Sequence, residues 1–335
     1  MKILKIVVLA SILFLVGCEN TTKTIYKNKP ISKSEKILSK FDFYICKSIG
    51  VGKDYRSDIY GHNPKSNVYE SIALNLGQMY GIVDDCVNDV EGNIYFTSRK
   101  NNAIYKIDRF GQKIMQIASG FDIAWGLAYD KKRDRLYLSN WHGNSKKQYG
   151  EIEYIDLKTL QRDVINLENN QTYPLKSGGK MVFDKNYENL YIADLFGEKI
   201  YKYNLTNSKL EEFTSLNAQP GSIDIYNNKL YISQYNIDFI ITIDIDSKKR
   251  DVVIQSKDKT VNECMAIDKK RAKIYFGETK NNQQLGNSLI LYIHSANLDG
   301  SNVEVIKSPL SDVNSKYYSE KYGLYGLQAV RVVEN

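Results

Sequence analysis

The chain has 335 residues, of which 42% are hydrophobic and 25% are charged, a composition typical of a folded globular protein and not of bulk disorder. Its formal net charge is +7, but Lys and Arg are scattered among Asp and Glu, so nucleic acid is not an expected partner. The 26 tyrosines, set against 5 prolines and 2 tryptophans, favour short β-strands over helices.

The N-terminus has the pattern of an export signal. Met1 to Lys5 is positively charged, and Ile6 to Val16 is an almost unbroken apolar run of about eleven residues, too short to span a bilayer. The sequence Leu15-Val16-Gly17-Cys18 resembles the lipobox of bacterial lipoproteins. The resemblance implies that residues 1–17 are a lipoprotein signal peptide and that Cys18 is diacylated and becomes the new N-terminus. The alternatives are an uncleaved anchor and a buried core cysteine.

The lipid anchor sets the expected location. Glu19, and not Asp, follows Cys18, which implies the outer membrane in a cell with two membranes and the outer face of the plasma membrane in a cell with one. Residues 18–40 are rich in Lys, Thr, Ser and Asn, which predicts a solvated tether. We therefore expect a protein of the cell envelope, extracytoplasmic and held at the membrane through Cys18.

From Phe41 onward apolar and polar residues alternate, beginning with predicted strands at 41–46 and 68–74. A tyrosine-centred strand then recurs at steps of about 40 to 54 residues, which is the period of a propeller blade. Its tyrosines are predicted to pack in the core between blades. The five copies are Ile94-Tyr95-Phe96-Thr97, Leu136-Tyr137-Leu138-Ser139, Leu190-Tyr191-Ile192-Ala193, Leu230-Tyr231-Ile232-Ser233 and Ile274-Tyr275-Phe276-Gly277.

Each repeat opens with a further strand that ends near an aspartate or its equivalent. The six openings that align are residues 84–89, 125–130, 179–184, 221–226, 263–268 and 325–330. The first partial unit, residues 41–74, lacks such a strand, and the last opening supplies one. We expect the C-terminal strand to pair with the N-terminal strands in a composite blade, because closing the ring removes an exposed sheet edge. The prediction is an all-β, six-bladed β-propeller over residues 41–335.

Two segments carry a resemblance to known propellers. Gly126 to Asn140 and Gly179 to Asp194 resemble repeats of the YWTD, NHL and SMP-30/gluconolactonase-like families, and Glu153 to Leu160 resembles the YVTN-type surface propellers. The SMP-30-like enzymes hold a divalent metal in the channel with one Glu, two Asn and one Asp. Here Trp125 stands where that family has an asparagine, and Gly221-Ser222 where it has the aspartate, so two of the oxygen ligands are missing.

The first residues of the innermost strands are expected to converge on one mouth of the channel, where propellers usually bind ligands. Three carboxylates, one ammonium and two aromatic rings there suit a small polar or sugar-like ligand, or a protruding peptide loop. The alternative is that they solvate a water-filled channel and form scattered ion pairs. The candidates are Asp84, Asp85, Trp125, Lys180, Glu263 and Tyr325.

Catalysis has no positive support in the sequence. His62, His142 and His294 are far apart and lack the spacing of metal ligands. A Ser-centred nucleophile motif, a Walker loop and a dinucleotide glycine pattern are all missing.

We therefore expect a non-enzymatic, membrane-anchored binding or scaffold protein that needs no cofactor and recognises an envelope protein or a small polar ligand. The alternative is a lactonase-like or esterase-like hydrolase with a divalent channel metal at Asp84, Asp85 and Glu263.

Three cysteines remain after lipidation of Cys18, an odd number for an oxidising compartment. Ring closure would place Cys46 between the blades that carry Cys86 and Cys264, so a disulfide to either is conceivable. Because spacing alone does not fix geometry, we favour the interpretation that all three are free and buried.

Overall fold

The protein is a six-bladed β-propeller, as predicted. The computed structural model describes residues 35–51, 54–74, 76–143, 148–165, 175–235, 237, 239–255, 264–282, 288–306 and 327–333. These residues form six antiparallel sheets of four strands each. Within the described ranges no helix is both long and apolar enough to cross a membrane. The predicted signal peptide and Cys18 lie outside these ranges.

The elements follow one another in chain order. The described helical segments are a 3-10 helix at Ile37–Lys40 and the helix α1 at Leu76–Tyr80. The strands of the first half are β1 (Phe43–Val51), β2 (Asp54–Asn63), β3 (Val68–Ala73), β4 (Cys86–Asn88), β5 (Ile94–Ser98), β6 (Ala103–Ile107), β7 (Ile114–Ser119), β8 (Ala124–Asp130), β9 (Arg135–Trp141), β10 (Gly150–Asp156), β11 (Arg162–Val164) and β12 (Met181–Phe183). Those of the second half are β13 (Asn189–Asp194), β14 (Lys199–Asn204), β15 (Lys209–Ser215), β16 (Pro220–Tyr226), β17 (Lys229–Gln234), β18 (Phe239–Asp244), β19 (Arg250–Gln255), β20 (Met265–Asp268), β21 (Lys273–Asn282), β22 (Ser288–Asn297), β23 (Glu304–Ile306) and β24 (Leu327–Val332).

The ring closes through the last described strand. The inner strands are β4, β8, β12, β16, β20 and β24, and each contacts the next around the channel, with β24 returning to β4. In the composite blade the strand order is β24-β1-β2-β3, and the β1–β24 register runs from Phe43 opposite Val332 to Cys46 opposite Ala329. The predicted closure of the ring is thereby confirmed, and β1 gains a partner on the side facing the channel.

The repeated tyrosines lie in the core, as predicted. Tyr95, Tyr137, Tyr191, Tyr231 and Tyr275 are all buried in the second strands of their blades. The composite blade supplies a sixth tyrosine that the repeat pattern does not reveal. This is Tyr44 of β1, which is fully buried and lies opposite Arg331 of β24. One tyrosine per blade therefore pairs with an inner strand, and apolar contacts between successive blades hold the ring together.

A disulfide joins the composite blade to its neighbour. Cys46 of β1 is bonded to Cys86 of β4, with a Cα–Cα distance of 6.6 Å, and both residues are fully buried. The interpretation that all three cysteines are free is therefore wrong for this pair. Ring closure makes the composite blade a neighbour of the blade that contains β4, as expected, but sequence spacing could not show that the two cysteines come within bonding distance. Cys264 is buried in a different apolar cluster.

The chain just before β1 also belongs to the packed structure. Ile37 and Leu38, in the stretch predicted to be a tether, are 2% and 3% exposed. The Ile37 backbone N–H donates to the Arg109 carbonyl at 2.7 Å. The Phe41 ring lies against Gly61, where an added Cβ would overlap it, so only glycine fits at this point of β2.

A buried histidine in the composite blade gives a testable pH dependence. The His62 Nδ1 lies 2.8 Å from Asp42 Oδ1, its Nε2 lies 3.0 Å from Asn67 Oδ1, and its ring stacks on Phe43. Burial lowers the pKa of His62 and nearby Arg271 lowers it further, but the hydrogen bonds to Asp42 and Asn67 outweigh them, so the pKa is raised above its ordinary value.

Because the folded-state pKa is the higher one, protonated His62 stabilises the fold fully below the unfolded value of about 6.5. This contribution is lost as pH rises through the raised folded pKa. We expect His62→Gln to lose more unfolding free energy at pH 6 than at pH 9, measured by urea titration against the unchanged protein. Equal losses at the two pH values would contradict this assignment.

Candidate functional site

The structure places four of the six candidate residues at the start of inner strands. Asp84 and Asp85 immediately precede β4, Lys180 immediately precedes β12, and Trp125 is the second residue of β8. Glu263 and Tyr325 lie outside the described residues. The four described residues divide into a buried charge cluster and a partly exposed aromatic group.

Asp85 is the centre of the charge cluster, and its side chain is completely buried. Both of its carboxylate oxygens lie 2.8 Å from Arg331 Nη2, and Oδ1 lies 3.1 Å from Lys180 Nζ. The backbone N–H groups of Leu127 and Cys86 each donate to the carboxylate at 2.9 Å. Four blades therefore meet at one carboxylate.

Asp84 is equally buried and is bound by a second arginine. Arg99 reaches it with two parallel bonds, Nε to Oδ2 and Nη2 to Oδ1, each of 2.6 Å. The Asp84 carbonyl also accepts a 2.5 Å hydrogen bond from Lys180 Nζ. This fork geometry is among the strongest pairings that a carboxylate can make.

The cluster shifts the pKa values of its members in ways that follow from burial. Burial raises the pKa of Asp84, although Arg99 opposes the change, and burial lowers the pKa of Lys180, although Asp85 opposes it. Burial also acts to lower the pKa of Arg331, but attraction to Asp85 outweighs it and the net shift is upward. In each case an oppositely charged neighbour opposes the effect of burial, so the cations and carboxylates of the cluster stabilise one another electrostatically.

These contacts bear on the alternative of a channel metal. The oxygens of Asp84 and Asp85 already accept bonds from Arg99, Arg331 and Lys180, so a hard cation would have to displace a positively charged side chain to reach them. In the part of the chain that the structure describes, no three His, Cys, Asp or Glu side chains are grouped to hold a metal ion.

An aromatic group covers one side of the cluster. We call Trp125, Trp141 and Phe196 the aromatic rim. Their ring centroids lie 5.4 Å apart for the two tryptophans, 5.7 Å for Trp125 and Phe196, and 5.0 Å for Trp141 and Phe196. The Arg99 guanidinium carbon lies 5.8 Å from the Trp125 ring. Phe196 is 39% exposed, so the rim presents apolar surface to solvent.

His142 lies beside the rim, directly after Trp141 in the chain. Its Nε2 is 3.0 Å from Glu151 Oε2, its Nδ1 is 3.3 Å from Asp122 Oδ2, and its ring stacks on Tyr149 with centroids 4.5 Å apart. These contacts hold His142 in place and so help to position the adjacent Trp141.

Sequence reasoning missed Arg99, Trp141, Phe196 and Arg331. Arg99 and Trp141 come at or just after the end of a tyrosine-containing strand, and Phe196 follows Asp194 in the next turn of the same kind. A comparison of these corresponding positions between blades could have identified the three residues from the sequence. Arg331 alternates with Val330 and Val332, a pattern that points to one charged side chain on the channel side of the last strand.

Comparison with known proteins identifies the architecture alone. No family model and no curated protein matches the chain. Among solved structures, a chain from the crystal structure of a nidogen/laminin complex matches with a TM-score of 0.62 and 14% sequence identity, covering 87% of this chain and 98% of that chain. A likeness at this identity shows a shared fold.

Proposed function

We propose that this is an envelope binding protein, anchored at the membrane through Cys18, that recognises a protruding loop of a protein partner with the aromatic rim. The observation that carries the proposal is the grouping of Trp125, Trp141 and partly exposed Phe196 beside Arg99. Tryptophan and arginine are the residues most enriched among the energetically dominant positions of protein interfaces. A small polar or sugar-like ligand that stacks on the same rings is the other outcome of the test below.

The charge cluster beneath the rim supports this proposal by making the surface rigid. Arg99 is held by two hydrogen bonds to buried Asp84, and the Asp84 carbonyl is in turn held by Lys180. A preorganised surface loses less side-chain entropy when a partner binds. The matching chain belongs to a protein complex, which is consistent with a propeller that serves as a binding platform.

The proposed location has independent support. The Cys46–Cys86 disulfide suits an oxidising, extracytoplasmic compartment, since such bonds are rare in reducing cytosol. The lipobox-like residues Leu15 to Cys18 and the preceding apolar run motivate the anchor. Radiolabelled palmitate incorporation into the full chain, and its loss in Cys18→Ala, would test the anchor directly.

The rim is tested by Trp125→Ala, for which we expect an affinity loss of about tenfold or more, the loss typical of a dominant interface side chain. A photoreactive amino acid at Phe196 first captures the partner in cells, and the purified partner is then titrated against the full-length protein in detergent. Sugars and peptidoglycan fragments are titrated in parallel to identify the small-ligand outcome.

The matched control is Phe110→Ala. Phe110 also carries an arginine over its ring, Arg109 at 5.0 Å, but it lies in the turn between β6 and β7, away from the rim. Its replacement should leave affinity unchanged. Equal affinities of the unchanged protein and of Trp125→Ala for the captured partner would overturn the rim as the binding surface.

A further inference from the structure

A cavity of about 350 Å³ lies within the channel, at the end remote from the aromatic rim. All six inner strands line it, with the turns that follow several of them, including Val90, Lys131 and Lys269. Asp84, Asp85 and Lys180 of the charge cluster, in contrast, lie where inner strands begin, and Arg331 connects that cluster to the cavity. Because Lys131 and Lys269 are exposed, the cavity is accessible from the end of the channel where the inner strands finish.

The blades can be compared directly at one height along the channel, which is the height of the tyrosine in each second strand. At this level each inner strand places one residue opposite the tyrosine of its second strand. We call these six cavity-lining residues the channel ring: Val87, Ala128, Val182, Asp224, Ala266 and Arg331. Four blades supply a small apolar side chain, so the fold does not require a charge at this level. Asp224 and Arg331 are the exceptions.

Arg331 lines the cavity and has unused hydrogen-bonding capacity. Its Nε donates to the Cys86 carbonyl at 2.8 Å and its Nη2 binds Asp85. Within the described residues Nη1 has no hydrogen-bond partner, and the side chain is 16% exposed. Asp85 is shared between Arg331 and Lys180, so two cations face one carboxylate and one positive charge is left over.

Asp224 lies two blades away from Arg331, beyond Ala266, and its carboxylate offers hydrogen-bond acceptors. Its Oδ1 accepts from the Ile225 N–H at 2.7 Å, and its Oδ2 accepts from the Ile267 N–H at 2.8 Å. A carboxylate has about four acceptor sites, so both oxygens can still accept a bond from a ligand. Lys269 Nζ lies 3.8 Å from Oδ1, which offsets the charge of Asp224 and disfavours a cationic ligand group there.

We propose that this cavity binds a small organic anion whose carboxylate pairs with Arg331 and whose hydroxyl group donates to Asp224, across the small side chain of Ala266. The volume is near the lower end of the range of ligand pockets, about 300–1,000 Å³, which suits a compact molecule. A hydroxyl suits Asp224 because it donates without adding a positive charge near Lys269 and Arg331. This site is independent of the aromatic rim, so either proposal can fail without the other.

Three probes of similar size separate the two contacts. Glycerate carries both a carboxylate and hydroxyls, propionate lacks the hydroxyls, and glycerol lacks the carboxylate. Titration of the full-length protein in detergent, followed by calorimetry and ligand-detected NMR, should give saturable binding of glycerate at least about tenfold tighter than that of either other probe. Absence of saturable glycerate binding, or equal binding of glycerate and propionate, overturns the proposal.

Two variants and one control place the binding in the cavity while leaving Arg331 in place. Val182→Phe fills the channel ring and should abolish glycerate binding, while Val252→Phe, on a 58% exposed residue of β19, should leave it unchanged. Asp224→Asn should weaken glycerate but not propionate. Urea titration of each variant shows that the fold is retained, and glycerate binding that survives Val182→Phe in a folded protein overturns the assignment.

Discussion

We expect the replacement of Arg331 by methionine to lower the free energy of unfolding by about 3 kcal/mol, because it removes one partner of a buried, hydrogen-bonded ion pair. Among the described residues Asp85 would keep Lys180 as its one cationic partner, and the Cys86 carbonyl would lose the bond from Arg331 Nε. Methionine fills much of the same volume, so the loss reports the charge and not a cavity. Urea titration of the full-length protein in detergent measures it.

Arg109→Met is the matched control. Arg109 also forms an ion pair, with Glu91 at 3.5 Å, but its side chain is 41% exposed and that of Glu91 is 63% exposed. An exposed pair of this kind is worth at most about 1 kcal/mol. If Arg331→Met and Arg109→Met cost the same, Asp85 and its partners do not hold the blades together.

Removing the disulfide is expected to cost slightly more. The Cys46–Cys86 bond spans 40 residues, and loop-closure entropy for a loop of that length corresponds to about 4 kcal/mol in the chain-entropy model. We expect Cys46→Ala/Cys86→Ala to lose about 3–4 kcal/mol of unfolding free energy. The bond also joins β1 to β4, so the variant should open first between the composite blade and its neighbour, as hydrogen exchange would show.

Reductant provides the control within the same experiment. Dithiothreitol should destabilise the unchanged protein by about as much as the double substitution, once the bond is reduced in the unfolded state. It should not alter the double variant any further. An unchanged protein that unfolds at the same urea concentration with and without reductant would contradict a stabilising disulfide.

The fold could be predicted from the sequence because each blade needs a buried tyrosine at the same position of its second strand. Tyr95, Tyr137, Tyr191, Tyr231 and Tyr275 recur for that reason, and the unmatched N-terminal strands required a closing strand. Tyr44 is not part of the sequence repeat because its inner strand, β24, comes last in the chain, whereas the inner strand of every other blade directly precedes the tyrosine-containing strand. Ring closure predicted that Cys46 has Cys86 and Cys264 in neighbouring blades, but sequence spacing does not fix the geometry that decides whether a disulfide forms.

The candidate site could be predicted from the sequence only in part. Charges at inner-strand starts can be found from the repeat, which is how Asp84, Asp85 and Lys180 were identified. Whether such charges face solvent or one another depends on partners contributed by distant strands, here Arg99 and Arg331. Of the residues predicted for the ligand mouth, Asp84, Asp85 and Lys180 are buried and bonded to charged partners, whereas Trp125 belongs to the aromatic rim.

The pairing of Asp85 with Arg331 also has a consequence for biogenesis. The two residues are 246 positions apart, so a chain that reaches its compartment N-terminus first presents Asp85 well before Arg331 arrives. Throughout that interval the nascent chain holds a carboxylate without its main counter-ion and a strand, β1, without its channel-side neighbour. Both are open to proteases and to other chains, so the ring remains vulnerable until β24 pairs with β1.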